Sequence, residues 1–350
     1  MKAARFHAKE DVRIEHIEQP TPGPGEVKIR TAYSGICGSD LHLYFEPEST
    51  GLKLDRPHPT TGAMPPQVIG HEFSGTIVEL GAGVTRLKVG DRVAVWPVYY
   101  CGECAACGRG MYNVFRRIAF HGLSSHGGGM AEYTTVAASK VHVLPENVDL
   151  RMGALVEPMA VAWHAVNVSG IQPGQSALIS GGGPIGIGLW FALRARGVNT
   201  VLVSEPSPAR RAALTQIGAT LLVDPLSEDL SARVRAETDD RGVDVVFDAA
   251  GVAAVLTDSV RQLAPGGKVI VVAIHEKPVE ISPMRLVVGE LSVGGALGYL
   301  QPDFDAVIAA MSEGLYTAEG WVSEVPIDGV VDAFHELRSG NLMKVLVSTQ

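Results

Sequence analysis

Cys37-Gly38-Ser39-Asp40-Leu41-His42 gathers a thiol, a hydroxyl, a carboxylate and an imidazole into one short stretch. Gly70-His71-Glu72 adds a second imidazole and a second carboxylate. A catalytic zinc takes three protein ligands and keeps a fourth position open. Cys37 and His71 are the first two candidates. Glu157, in Leu155-Val156-Glu157-Pro158, and Glu72 compete for the third. The chemistry this set suits is alcohol oxidation. An alcohol must lose its proton before it can release hydride, and bound Zn²⁺ lowers the pKa of an attached oxygen. The proton then needs a way out of a dry site. Ser39 can pass it to a ribose hydroxyl of a cofactor, and His42 can deliver it to solvent near its own pKa. Asp40 is placed to orient a metal-bound imidazole.

A hydride needs an acceptor, and Gly181-Gly182-Gly183-Pro184-Ile185-Gly186 satisfies G-x-G-x-x-G. It follows a predicted strand and opens a predicted helix, as the dinucleotide fingerprint requires. Gly181, Gly183 and Gly186 permit the tight turn, and Pro184 and Ile185 start the helix whose free N–H groups meet a pyrophosphate. Glu205 ends the next strand. A carboxylate there accepts hydrogen bonds from the adenosine ribose and repels a 2′-phosphate, which favours NAD over NADP. Arg210 and Arg211 follow it closely and pull the other way.

These groups need a scaffold. A chain of 350 residues implies two domains. With 46% hydrophobic and 19% charged residues it is globular. Its net charge of −9 gives no electrostatic reason to expect nucleic acid. No N-terminal apolar core of signal length and no membrane-length apolar run is present, so the expected location is the cytoplasm. Alternating residues and Gly/Pro turns predict antiparallel strands up to about 35 and barrel-type strands at 76–84 and 93–96. A long loop spans about 46–67. From about residue 158, buried strands alternate with helices, which is the pattern of a doubly wound parallel sheet. Val345-Leu346-Val347 is expected to rejoin the first domain's sheet. Three of the four cysteines, Cys101, Cys104 and Cys107, share one segment, which points to metal chemistry in a reducing compartment.

Gly70-His71-Glu72-x-x-Gly75, with Gly81 and Val84, resembles the zinc signature of the medium-chain alcohol dehydrogenase/reductase superfamily. Within it the chain is similar to the 2,3-butanediol dehydrogenases. The likeness runs through Gly35 to His42, His58-Pro59-x-Thr61-Gly62, Ala154 to Pro158, Ser204-Glu205-Pro206-Ser207 and Val272-Ala273-Ile274-His275-Glu276-Lys277-Pro278. It implies an α/β chain with a GroES-like, partly open β-barrel catalytic domain (1–157 and 295–350) and a Rossmann NAD-binding domain (158–294). It implies Cys37, His71 and Glu157 as ligands of a catalytic Zn²⁺, with Glu72 able to exchange in, and Ser39 and His42 as proton relay. The implied reaction is NAD-linked interconversion of a small vicinal diol and a hydroxyketone: 2,3-butanediol to acetoin, or acetoin to diacetyl. A polyol or L-threonine dehydrogenase is the alternative within the fold, and a zinc-free quinone reductase the alternative outside the zinc class. A homodimer or homotetramer is also implied.

Two departures stand out. Relatives hold a structural zinc by four cysteines, whereas here Phe115 stands at the fourth place after Cys101, Cys104 and Cys107. His121 and Glu103 are possible substitutes without the expected spacing. Polyol dehydrogenases often carry Tyr after the relay His; here Leu43 suggests a pocket for a short, methyl-capped diol.

Overall fold

The computed structural model describes residues 1–115, 117–275 and 277–350; Glu276 of the quoted stretch lies outside the described residues. The chain divides into two compact units. One comprises 1–157, 300–313 and 322–350, and the other 158–299 and 314–321. The return to the first unit thus falls at 300, not at 295. The edge strand Ser292–Gly295 and Ala296, whose N–H donates to the Val271 carbonyl, still belong to the second unit's sheet.

In the first unit the long strand Glu26–Gly35 organises a sheet. Glu72–Leu80 lies along one edge, and Arg92–Val95 and Val141–Val143 follow outward. The other edge is shared by Tyr133–Ala137 and by Lys344–Ser348, which brings the C-terminus back. Alternation explains the faces. Val27 and Ile29 point inward with Phe73, Ile77, Val93 and Val136 to fill the barrel core. A second core lies under the helix Gly38–Phe45. Its Leu43, Tyr44 and Phe45 pack with Phe6, Ile36, Ile69, Phe334, Val345 and Val347. Burial of such side chains contributes about 1.5–3 kcal/mol each. The helix carrying Ser39 and His42 is therefore clamped by residues from both chain ends.

The second unit holds six parallel strands in the order 221–223, 200–204, 176–180, 243–248, 263–271, 292–295. In chain order this is 3-2-1-4-5-6, the dinucleotide-binding arrangement, in which ligands bind beyond the carboxyl ends of the strands where the order reverses. Leu178, Leu202, Val246 and Val269 fill one face, and Ile179, Val203 and Phe247 are buried on the other, as a parallel sheet covered on both sides demands. Among the described residues no helix is long and apolar enough to cross a membrane.

Candidate active site

Cys37 caps the helix Gly38–Phe45. Its own N–H donates to Asp40 Oδ2 at 2.9 Å, which fixes the first turn and holds the Asp40 carboxylate inward. His71 follows Gly70, whose φ of +91° belongs to the left-handed region. A Cβ at Gly70 would lie 2.4 Å from Ser34 Oγ, so glycine is required on both counts. Glu72 opens its strand opposite Gly35 in register, and a Cβ on Gly35 would lie 2.0 Å from Glu72 Oε2. Gly35 is thus the space Glu72 occupies. Glu157 sits in the first turn of the helix Val156–Ser169.

These elements converge. Ligand atoms of Cys37, His71 and Glu72 all lie within 4.8 Å of one another. His71 Nε2 is 3.9 Å from Glu157 Oε1 and 3.3 Å from Ser39 Oγ, while Nδ1 faces Asp40 Oδ2 at 3.7 Å. His71, Glu72, Asp40 and Glu157 are all buried. His42 lies one turn beyond Ser39 on the same helix face, half-buried, with Nδ1 3.4 Å from Ser49 Oγ.

Electrostatics show what the cluster needs. Asp40, Glu72 and Glu157 surround one imidazole, one thiol and one ammonium, that of Lys344. Burial pulls the His71 imidazole down, but Asp40 and Cys37 more than offset this and hold it well above the usual histidine range. Lys344 behaves alike. Burial opposes its charge, and Glu72, Cys37 and Glu157 raise it above the usual lysine range. His71 Nδ1 and Glu72 Oε1 are buried with no hydrogen-bond partner. Buried carboxylates in excess of cations are costly unless further positive charge is supplied. Sulfur, nitrogen and oxygen donors around that deficit fit a zinc ion.

Lys344 escaped the sequence reading. Its Nζ donates to the Ile36 carbonyl at 3.0 Å and to Glu72 Oε2, in full burial. It precedes Val345-Leu346-Val347 and looks like an ordinary strand-end lysine; its partner is 272 residues away. Removing one partner of a buried pair costs about 3–5 kcal/mol. Lys344→Met should therefore lower unfolding free energy by about that much in urea titrations, and adding Glu72→Gln should restore most of it. An equal loss in the double variant would disprove the pairing.

Leu43, one turn beyond Ser39, is 2% exposed and belongs to the apolar core beneath its helix.

In the second unit, Gly181 adopts φ +104° and Gly183 caps the helix Pro184–Ala195, with Pro184 at its first position and Ile185 and Gly186 in its first turn. A Cβ on Gly186 would lie 2.0 Å from the Gly181 carbonyl oxygen. Glu205 is buried, and both its oxygens are held: Oε2 accepts from Gly182 N–H at 2.7 Å and Oε1 from Ser207 N–H at 2.8 Å. Arg210 Nη1 lies 3.8 Å from Glu205 Oε2. Arg211 is engaged by the Glu205 and Pro206 carbonyls and by Asp224. A cavity of about 490 Å³ opens here, lined by Gly181, Gly183, Glu205, Arg210, Leu226 and Ala250 among others. It lies at the carboxyl ends of the central strands. His275 Nε2 is anchored to buried Asp248 Oδ2 at 2.6 Å.

Cys101, Cys104 and Cys107 also converge, with ligand atoms within 4.8 Å of one another. Neither proposed substitute joins them. His121 turns its ring nitrogens to Thr134 Oγ1 at 2.7 Å and Tyr99 Oη at 3.0 Å, and Glu103 is exposed.

Comparison with known proteins agrees with both units. Residues 23–146 match the alcohol dehydrogenase GroES-like domain and 184–313 the zinc-binding dehydrogenase family. The chain is 41% identical to (R,R)-butanediol dehydrogenase of Bacillus subtilis over 95% of its length and 94% of that protein's. It is 36% identical to the enzyme of that name from Neisseria gonorrhoeae over 99% of both. The crystal structure of 2R,3R-butanediol dehydrogenase from Bacillus subtilis superposes with a TM-score of 0.91 at 39% identity, covering 100% of this chain and 99% of that one. The chain belongs to the zinc-binding alcohol dehydrogenase family, with a GroES-like domain and a Rossmann domain, and is an oxidoreductase of that class.

Proposed function

We propose that the protein interconverts a small vicinal diol and its hydroxyketone, 2,3-butanediol and acetoin or acetoin and diacetyl, using Zn²⁺ and NAD. The observation that carries the reading is the meeting of half-buried Cys37 with buried His71 and Glu72, with Glu157 Oε1 3.9 Å and the Ser39 hydroxyl 3.3 Å from His71 Nε2. Two relatives that bear the butanediol dehydrogenase name supply the substrate class. When bound, zinc supplies Lewis-acid polarisation of the alcohol and NAD accepts the hydride.

Cys37, His71 and Glu157 would hold the metal. Glu72 stands in reserve, because Lys344 engages its Oε2. Asp40 fixes the ring orientation of His71 from its Nδ1 side. Ser39 is the hydroxyl beside the metal-binding nitrogen and takes the alcohol proton. His42, half-buried one turn along, passes it to solvent. Gly181, Gly183, Pro184, Ile185 and Gly186 receive the pyrophosphate, and Glu205 the adenosine ribose.

The test is a panel of butanediol stereoisomers, acetoin, sorbitol and threonine with NAD and NADP, with and without a chelator. The reading expects a butanediol isomer with NAD to give the highest kcat/KM, and the chelator to abolish it. Equal turnover of sorbitol or threonine would overturn the substrate, and chelator-resistant activity would point to the zinc-free class.

The protein acts in the cytoplasm as a homodimer or homotetramer. In the helix Pro283–Gly289, Met284, Val287 and Val288 are 70–78% exposed, beside the edge strand Ser292–Gly295. An open edge next to an apolar patch suits pairing with a second copy. Val288→Asp should shift the mass measured by light scattering toward monomer. An unchanged mass would exclude this face.

A further inference from the structure

Zinc sites that serve structure alone are closed by four protein ligands. The cysteine lobe offers three. Cys101 Sγ and Cys104 Sγ lie 3.9 Å and 3.5 Å from Cys107 Sγ. Sulfurs bonded at ~2.3 Å to a tetrahedral zinc stand about 3.8 Å apart, so the three occupy ligand spacing already. Tight turns impose it. Gly108 N–H donates to the Cys104 carbonyl and Gly110 N–H to the Cys107 carbonyl, with Gly102 and Gly110 at φ +78° and +73°. Among the described residues no His, Asp, Glu or fourth Cys joins the group. The chain place of a fourth ligand is held by Phe115, which is buried and offers no donor; the Arg117 guanidinium lies 5.8 Å from its ring. His121, the nearest imidazole in sequence, is spent on Tyr99 and Thr134.

The lobe therefore does not fit a closed tetrahedral zinc. We infer that Cys101, Cys104 and Cys107 form an open three-thiolate site that takes soft, thiophilic ions and exchanges them. Thiolate donors select ions such as Cu(I), Cd(II) and Hg(II), which are content with three sulfurs. Zinc enters this site but needs a fourth ligand from solvent, and the half-exposed Cys101 and Cys104 leave the sulfurs within reach of chelators and competing ions. Binding displaces the thiol protons to solvent and involves no change of oxidation state.

The test uses the full-length, reduced, metal-stripped protein and Cd(II) as probe. Metal content is read by mass spectrometry and thiolate ligation by the ultraviolet charge-transfer band. The wild type should take two cadmium ions per chain, and Cys37→Ser should keep one with a three-thiolate band. Cys104→Ser should lose the lobe ion. A second measurement follows zinc release to a chelator. Phe115→Cys, which closes the site, should hold lobe zinc about 100-fold more tightly than the wild type, as losses of lesser supporting groups already cost 10–100-fold. Failure of the wild type to bind cadmium at the lobe would overturn the inference. So would lobe zinc held by the wild type as tightly as by Phe115→Cys.

Discussion

His71→Ala should lower kcat/KM for the diol by roughly a thousandfold or more. Lewis-acid assistance contributes several kcal/mol, and about 4 kcal/mol is three decades in rate. The reason is local. Nε2 faces Glu157 and Ser39, and among the described residues no other histidine is grouped with Cys37 and Glu72. Zinc content should fall with the rate. Asp40→Asn provides a graded control. It keeps the ring but weakens its orienting partner at 3.7 Å, and should reduce metal affinity by about 10–100-fold. A His71→Ala enzyme that retains both zinc and rate would remove the imidazole from the site.

Glu205→Ser should reverse cofactor choice. The carboxylate is pinned by Gly182 N–H and Ser207 N–H, so it has little entropy left to lose when a further donor binds. Hydrogen bonds to a charged group contribute about 1.5–3 kcal/mol, so kcat/KM with NAD should fall by roughly 100-fold. With the negative charge gone, Arg210, 3.8 Å from Glu205 and 39% exposed, becomes free to meet a 2′-phosphate. NADP use should rise, and adding Arg210→Ala should cancel that rise. Arg211 cannot take its place, since it is tied to two carbonyls and Asp224. Unchanged NAD preference in Glu205→Ser would show that the adenosine ribose is read elsewhere.

Much of this was legible in the chain. The G-x-G-x-x-G turn at 181–186 and the strand ending at Glu205 carry local signals: glycines where the backbone crowds, and a carboxylate at a fixed distance in sequence. The cysteine lobe's deficit at Phe115 was equally visible. Lys344 was not, because its meaning lies in a partner on a distant strand, brought near by register and by the missing Cβ of Gly35. The packing of Leu43 into the cluster that holds Phe6 and Phe334 was also hidden, because those partners come from opposite ends of the chain. The edge strand does end at Gly295, but residues 296–299 and 314–321 also group with the second unit, and no local pattern marks that long-range packing.

The most direct measurement is zinc titration into chelator-stripped enzyme, following the initial rate of 2,3-butanediol oxidation with NAD. The rate should begin near zero, rise linearly and saturate at one zinc per chain, with Cys37→Ser inert throughout. Full activity in the stripped enzyme, or a rate restored in Cys37→Ser, would contradict a catalytic metal held by Cys37, His71 and Glu157.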